Sequence, residues 1–97
     1  MFHYREGRLY AEGVALERIA REFGTPCYVY SRNDIAGAWQ AYDRAFGARA
    51  HRIHYAVKAN ATLAVLDTLA RLGSGFDIVS GGELARVLAA RGEPRAE

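Results

Sequence analysis

Two stretches of the sequence read as the same unit, a short strand that runs straight into an amphipathic helix. The first, from about residue 52, carries Ile53-His54-Tyr55-Ala56-Val57-Lys58 and then Ala59-Asn60. The second, from about residue 75, carries Gly75-Phe76-Asp77-Ile78-Val79 and then Ser80-Gly81-Gly82-Glu83. Strands that alternate with helices pair in parallel, because a helical crossover returns the chain to the edge it left, with right-handed connections. The pleat sorts the first strand, expected over about 52–58, into two faces. Ile53, Tyr55 and Val57 share one; His54, Ala56 and Lys58 share the other. One amine is thus delivered in phase with a small alanine to the C-terminal end of a strand, the end at which α/β folds bind ligands.

The helices follow from apolar spacing. Leu63, Leu66, Leu69 and Ala70 make one stripe, with Asn60 as the expected N-cap and Gly73 as the stop. Leu84, Val87 and Leu88 make another, opened by a Ser80–Glu83 capping box and closed by Gly92 and Pro94. Upstream, Leu16, Ile19, Ala20 and Phe23 predict a short helix ended by Gly24 and Thr25-Pro26. Cys27-Tyr28-Val29-Tyr30 is β-branched and aromatic and predicts a strand. Ser31, with Asp34 three residues on, caps a helix whose stripe is Ile35, Trp39, Tyr42 and Phe46 and whose stop is Gly47. Residues 1–13 are weakly patterned, punctuated by Gly7 and Gly13, and hold at most a short strand. The predicted order is helix, strand, helix, strand, helix, strand, helix. Two complete strand–helix units make neither a closed barrel nor a doubly wound sheet, so the expectation is an N-terminal portion of a longer α/β protein.

Composition narrows the function classes. A hydrophobic fraction of 51% and a charged fraction of 25% over 97 residues are those of an ordinary globular chain. The net charge is only +2 and the arginines are scattered, which argues against nucleic acid. No stretch approaches the roughly 20 apolar residues of a membrane span, and the N-terminus lacks the pattern of a signal peptide. A cytoplasmic location is expected. The single cysteine, Cys27, can form no internal disulfide, and its apolar neighbours predict a small buried hydrophobe.

Lys58 is the strongest nucleophile candidate, since an amine can form a Schiff base with a carbonyl, including that of pyridoxal phosphate. The competing reading is a solvated surface lysine. Asp77 lies on the next strand; if the two strands are parallel neighbours, its carboxylate and Lys58 face one interior, where an acid could orient the amine or balance a cofactor's charge. The alternative is a solvated carboxylate at the strand rim. Gly81-Gly82 would let backbone amides approach an anion, which alone is a weak signal. His51 and His54 are three residues apart, and on a strand that puts them on opposite faces, so no shared metal is expected.

These residues carry a resemblance. Tyr55-Ala56-Val57-Lys58-Ala59-Asn60 resembles the cofactor-lysine motif of the PLP-dependent decarboxylases with an alanine-racemase-like barrel. Gly73-Ser74-Gly75-Phe76-Asp77-Ile78-Val79-Ser80-Gly81-Gly82-Glu83-Leu84 is similar to the second motif of the diaminopimelate decarboxylase group, and Phe23-Gly24-Thr25-Pro26-Cys27-Tyr28-Val29-Tyr30-Ser31 to that group's N-terminal segment. The likeness runs from about residue 7 to 92.

The resemblance implies the start of a pyridoxal-5'-phosphate-binding (β/α)8 TIM barrel. Residues 1–31 would pack with a C-terminal β domain lying outside these 97 residues; residues 32–97 would supply the first helix and first two βα units of the barrel. Lys58 would hold the cofactor as a Schiff base and Asp77 would lie near it. The implied activity, for the full-length protein, is decarboxylation of meso-2,6-diaminopimelate to L-lysine and CO2, with no metal and with the protein as a homodimer; the 97 residues alone are expected to be inactive. The alternatives are a related barrel decarboxylase for ornithine, arginine or carboxynorspermidine, and a non-enzymatic PLP-binding protein. A small α/β domain with an incidental lysine is the remaining possibility.

Overall fold

A computed structural model describes residues 1–91, and in it the chain forms two compact units, one over Met1–Asp34 and one from Ile35 onward. Strands β1 (Phe2–Arg5), β2 (Arg8–Ala11) and β3 (Val14–Ala15) make an antiparallel meander in the first unit, where at most one short strand was expected. The register Phe2↔Ala11 to Arg5↔Arg8 leaves a two-residue turn, Glu6-Gly7, with φ of 52° and 77°. Two successive positive φ values give the turn whose twist matches that of a hairpin, and Gly7 makes it cheap. Helix α1 (Leu16–Phe23) follows as its apolar spacing predicts, and Gly24, at φ 81°, returns its N–H to the Ala20 carbonyl.

A polar knot joins the two ends of this unit. The Ser31 hydroxyl is buried, donates to Glu12 Oε2 at 2.9 Å, and accepts from the Met1 ammonium at 2.7 Å and the Asp34 N–H at 3.1 Å. Glu12 Oε2 also accepts the Asn33 N–H at 3.0 Å. The Asn33 amide, then the Ser31 hydroxyl, hold the Glu12 carboxyl below its ordinary value of 4.5. A lowered carboxylate contributes stability that is present above that value and lost as the pH falls through the folded one. Ser31 thus caps the next helix as expected, while Asp34 turns to the Met1 ammonium, 3.5 Å away.

The Cys27–Tyr30 stretch corrects two expectations. It forms no strand, and Cys27 is exposed. Tyr28 is 90% exposed and stacks on Tyr30. β propensity is a preference for packing on a pleated neighbour, and among the described residues no strand lies beside this stretch to receive it.

Helix α2 (Arg32–Phe46) leads into the second unit and ends at Gly47, φ 60°. The two strand–helix units are present: β4 (His54–Ala56), a single 310 turn (Val57–Ala59), α3 (Leu63–Leu72), β5 (Gly75–Asp77) and α4 (Gly81–Arg91). The strands pair in parallel, His54↔Gly75, Tyr55↔Phe76 and Ala56↔Asp77. Both are shorter than the expected 52–58 and 75–79, since neither has a second neighbour among the described residues to extend its ladder. Val57, Leu66 and Val87 form the core, with Tyr55, Ala61, Phe76, Ile78 and Ala90 packed around them. The α3 stripe is rotated from the expected one. Val65, Leu66 and Leu69 are buried, whereas Leu63 is 42% exposed. Asn60 is not the cap of α3: its side chain accepts the Thr62 N–H at 3.0 Å in a local turn, and the helix begins at Leu63. The Ser80–Glu83 box forms with a shift, Glu83 reaching back to the Val79 N–H at 2.9 Å while Ser80 Oγ accepts the Glu83 N–H at 3.1 Å. Gly92 and Pro94, expected to end α4, lie outside the described residues. No helix among the described residues is long and apolar enough to cross a membrane.

Two contacts set how β4 enters the sheet. The His54 ring lies over Gly75, where an added Cβ would come within 2.8 Å of it. His51 sits 2.6 Å from the Arg49 carbonyl through Nδ1 and 2.8 Å from Asp43 Oδ1 through Nε2, with Phe46 stacked on the ring. A carbonyl and a carboxylate can only accept, so both ring nitrogens donate and the bonded ring is the cation. The Arg49 carbonyl, then Asp43, accordingly raise His51 above its ordinary value of 6.5, against the opposing effect of partial burial. Stability from a raised histidine is complete below the ordinary value and lost as the pH rises through the folded one.

Two outcomes follow. Gly75→Ala should lower the unfolding free energy by about 1–3 kcal/mol, the usual cost of forcing atoms into a filled site, as read by denaturant titration. The wild-type unfolding midpoint should fall as the pH is raised above 6.5 through the His51 transition, and Asp43→Asn should flatten that slope; equal slopes in the two proteins would show that the pair is not formed.

Candidate functional site

The C-terminal ends of β4 and β5 place the residues singled out by sequence. Ala56 and Asp77 are register partners at the last rung of the parallel ladder. Lys58 follows Ala56 by two residues, on the 310 turn and not on the strand as expected. The turn is fixed from below by its first residue: Val57 is completely buried, so the chain must leave the core immediately afterwards, and Lys58 stands exposed. Asp77 is exposed as well, while Phe76 and Ile78 on the alternate positions pack into the core. Among the described residues neither the Lys58 side chain nor the Asp77 side chain makes a hydrogen bond or an ion pair. Of the 13 lysine and arginine residues in the chain, Lys58 is the only lysine.

The loop that carries Lys58 is internally tied. The Asn60 N–H returns to the Val57 carbonyl at 3.1 Å, closing the turn. The Tyr55 hydroxyl donates to the Asn60 carbonyl at 2.9 Å, and Arg86 Nε, from α4, donates to the Ala61 carbonyl at 2.8 Å. Sequence reasoning placed Tyr55 on the packing face and passed over Arg86. The Tyr55 hydroxyl was readable as a polar tip needing a partner; nothing in the spacing links Arg86 to a carbonyl 25 residues earlier.

The structure brings Lys58 and Asp77 to the same end of one parallel pair, and places Ser80, Gly81 and Gly82 directly after Asp77. A Cβ on Gly81 would meet nothing within 4 Å, so the start of α4 is open to close approach. An available primary amine, an uncommitted carboxylate on the next strand and an open backbone turn fit an aldehyde cofactor that carries a cationic ring and an anionic group.

His51 and His54 do not come together on a metal, the first being held by Asp43 and Arg49, the second lying on Gly75. Among the described residues no group of three His, Cys, Asp or Glu side chains could hold an ion. A cleft of about 380 Å³ lies between Trp39, Asp43, His51, Arg52, His54 and Gly75. It opens at the N-terminal ends of β4 and β5, opposite Lys58, and so away from the end where parallel sheets bind ligands.

Comparison with known proteins agrees with this geometry. Residues 32–96 match the family described as pyridoxal-dependent decarboxylase, pyridoxal binding domain. The chain is 60% identical over 93 residues to the diaminopimelate decarboxylase of Pseudomonas aeruginosa and 60% identical over 94 residues to that of Vibrio cholerae. Each match covers 96% of this chain and 22% of the relative, so the chain spans about a fifth of their length. Among solved structures, one from Aquifex aeolicus superposes with a TM-score of 0.85 at 48% identity, covering 96% of this chain and 23% of that one. The diaminopimelate decarboxylase of M. jannaschii in complex with L-lysine superposes at 0.80 with 35% identity, covering 94% and 22%. With the family's domain matched over residues 32–96 and the amine and carboxylate at one end of a parallel pair, the chain belongs to the pyridoxal-dependent decarboxylases, within their pyridoxal-binding domain.

Proposed function

We propose that this chain is the N-terminal part of a diaminopimelate decarboxylase, a PLP-dependent carboxy-lyase that converts meso-2,6-diaminopimelate to L-lysine and CO2. The observation that carries the reading is the placement of Lys58, the only lysine, exposed at the C-terminal end of β4 beside the strand that ends in Asp77. The choice of substrate is supported by the 60% identity to two diaminopimelate decarboxylases and by the L-lysine bound in the M. jannaschii relative.

In this reading Lys58 would hold pyridoxal 5'-phosphate through its Nζ. When bound, the cofactor supplies an electron sink for the pair left on Cα as CO2 departs. The chain's own contribution is positional. Buried Val57 anchors the turn and aims the lysine outward, and the ties at Asn60 and Ala61 limit its wandering. Asp77 provides a negative charge at the adjacent strand end, suited to orient the amine or offset a cationic ring. Small Ala56 leaves room between them.

The same reading extends to the whole protein. Residues 1–31 belong with a β domain and residues 32–97 begin the barrel. The exposed, unpaired Cys27–Tyr30 stretch suits a strand supplied from elsewhere in the full-length chain. A cytoplasmic homodimer is the expected assembly, and the isolated 97 residues are expected to show no turnover.

The test uses the full-length protein loaded with pyridoxal phosphate, reduced with borohydride, digested and mapped. A phosphopyridoxyl adduct should appear on Lys58, and Lys58→Ala should lose both adduct and CO2 release from meso-diaminopimelate. Asp77→Asn should keep the adduct and lose at least about tenfold in kcat, the loss expected for about 1.4 kcal/mol of transition-state stabilisation. An adduct confined to a lysine outside this chain would overturn the assignment of Lys58. CO2 release from ornithine or arginine, with none from diaminopimelate, would overturn the substrate.

A further inference from the structure

Residues 60–62 join the 310 turn to α3 and belong to neither helix. The first α3 bond runs from the Leu66 N–H to the Thr62 carbonyl. Thr62, which precedes the helix, makes no side-chain cap bond. The Asn60 and Ala61 carbonyls therefore fall outside the ladder, and each is met by a side chain. Tyr55, from the strand that delivers the lysine, reaches Asn60 at 2.9 Å. Arg86 reaches Ala61 at 2.8 Å from the helix of the following unit.

The second of these contacts is unusual for its setting. Arg86 is exposed on α4 and makes no ion pair among the described residues. An exposed guanidinium is ordinarily left to water. Here its Nε, one of five donors in a fixed planar fork, goes to a single backbone carbonyl. Packing does not require it: α3 and α4 are already joined through Leu66 and Val87 in the core. The Ala61 carbonyl could be satisfied by solvent. What the bond does is tie the segment between β4 and α3 to helix α4. Ala61 is three residues past Lys58, and Arg86 is one turn and a half into the helix that begins directly after Ser80.

We infer that Arg86 is a positioning residue for Lys58: by holding the Ala61 carbonyl it fixes the lysine loop against α4 and so sets the amine relative to the Asp77–Gly82 turn. The inference rests on the assignment of Lys58 as the cofactor lysine. Its chemistry is indirect, since Arg86 acts through the backbone and touches no reacting atom. A displacement of an ångström at such a distance is enough to misplace a reacting group.

The experiment compares full-length wild type, Arg86→Met and Arg86→Lys. Arg86→Met keeps the apolar stem and removes the donor; Arg86→Lys restores a cationic donor on a stem of similar reach. Three quantities are measured: the dissociation constant of pyridoxal phosphate, kcat and KM with meso-diaminopimelate, and the melting temperature of the cofactor-free protein. Arg86→Met should weaken cofactor binding roughly five- to tenfold, the scale of one net intramolecular hydrogen bond, and lower kcat by a similar factor. KM should stay within about twofold, the signature of a loss outside substrate binding. The melting temperature should change by no more than about 2 °C, and Arg86→Lys should recover most of both losses. Cofactor affinity and kcat at wild-type values in Arg86→Met would overturn the inference. So would losses that track a lowered melting temperature and are not recovered in Arg86→Lys, since those would mark a structural role. Borohydride mapping of the wild type separates the layers. Absence of the Lys58 adduct would remove the cofactor assignment and this inference together, whereas an adduct with unaltered Arg86→Met constants would remove this inference alone.

Discussion

The burial of Val57 governs this end of the molecule. It is the first residue of the 310 turn that carries Lys58, it is completely shielded from solvent, and it packs with Leu66 of α3 and Val87 of α4. Burying a side chain of that size contributes about 1.5–3 kcal/mol. One valine therefore draws two helices to the same point, and its neighbour has nowhere to go but outward. Lys58 owes its exposure to that adjacency, and the 310 turn is the backbone's way of placing successive residues on opposite sides of the core surface.

Around this point the site is assembled from short-range devices. The parallel ladder sets Asp77 level with Ala56. The ring of His54 occupies the space over Gly75, so the glycine sets how closely the first rungs approach. Tyr55 and Arg86 then take up the carbonyls that neither strand nor helix can use. Each device is worth little alone. Together they hold a mobile side chain's base still, which matters more for a covalent cofactor than for an ordinary surface lysine.

The N-terminal unit obeys a different rule. Its ends are joined by hydrogen bonds through Ser31 and Glu12, not by an apolar core, and the buried hydroxyl is fully engaged. Next to this knot, Tyr28 and Tyr30 expose large rings on a backbone that joins no strand among the described residues. Such an edge has backbone donors and acceptors to offer a further strand.

The local elements of the second unit were legible from residue spacing. Leu66, Leu69 and Val87 announce their helices, Gly47 and Gly73 their ends, and the Ser80–Glu83 pair its cap, because these depend on neighbours a few residues away. The same is true of the parallel order of β4 and β5 and of Lys58 and Asp77 as candidates. Where contacts are distant or absent, spacing failed. Cys27–Tyr30 has the composition of a strand but finds no ladder among the described residues. The three-stranded meander rests on tight turns at Glu6-Gly7 and Glu12-Gly13 that weak alternation did not reveal. Asn60 looked like a cap but closes its own turn.

What the sequence by itself determined is the chemistry available: a single lysine after an apolar strand, an acid on the next, and a glycine turn beyond. Only the tertiary structure decided that Val57, and not Lys58, enters the core, that Ala56 and Asp77 are level, and that Arg86 reaches Ala61. The physical reason is range. Periodicity and capping are set by residues within a turn or two, whereas register, burial and the bonding of stray carbonyls depend on groups that meet only after the helices have packed.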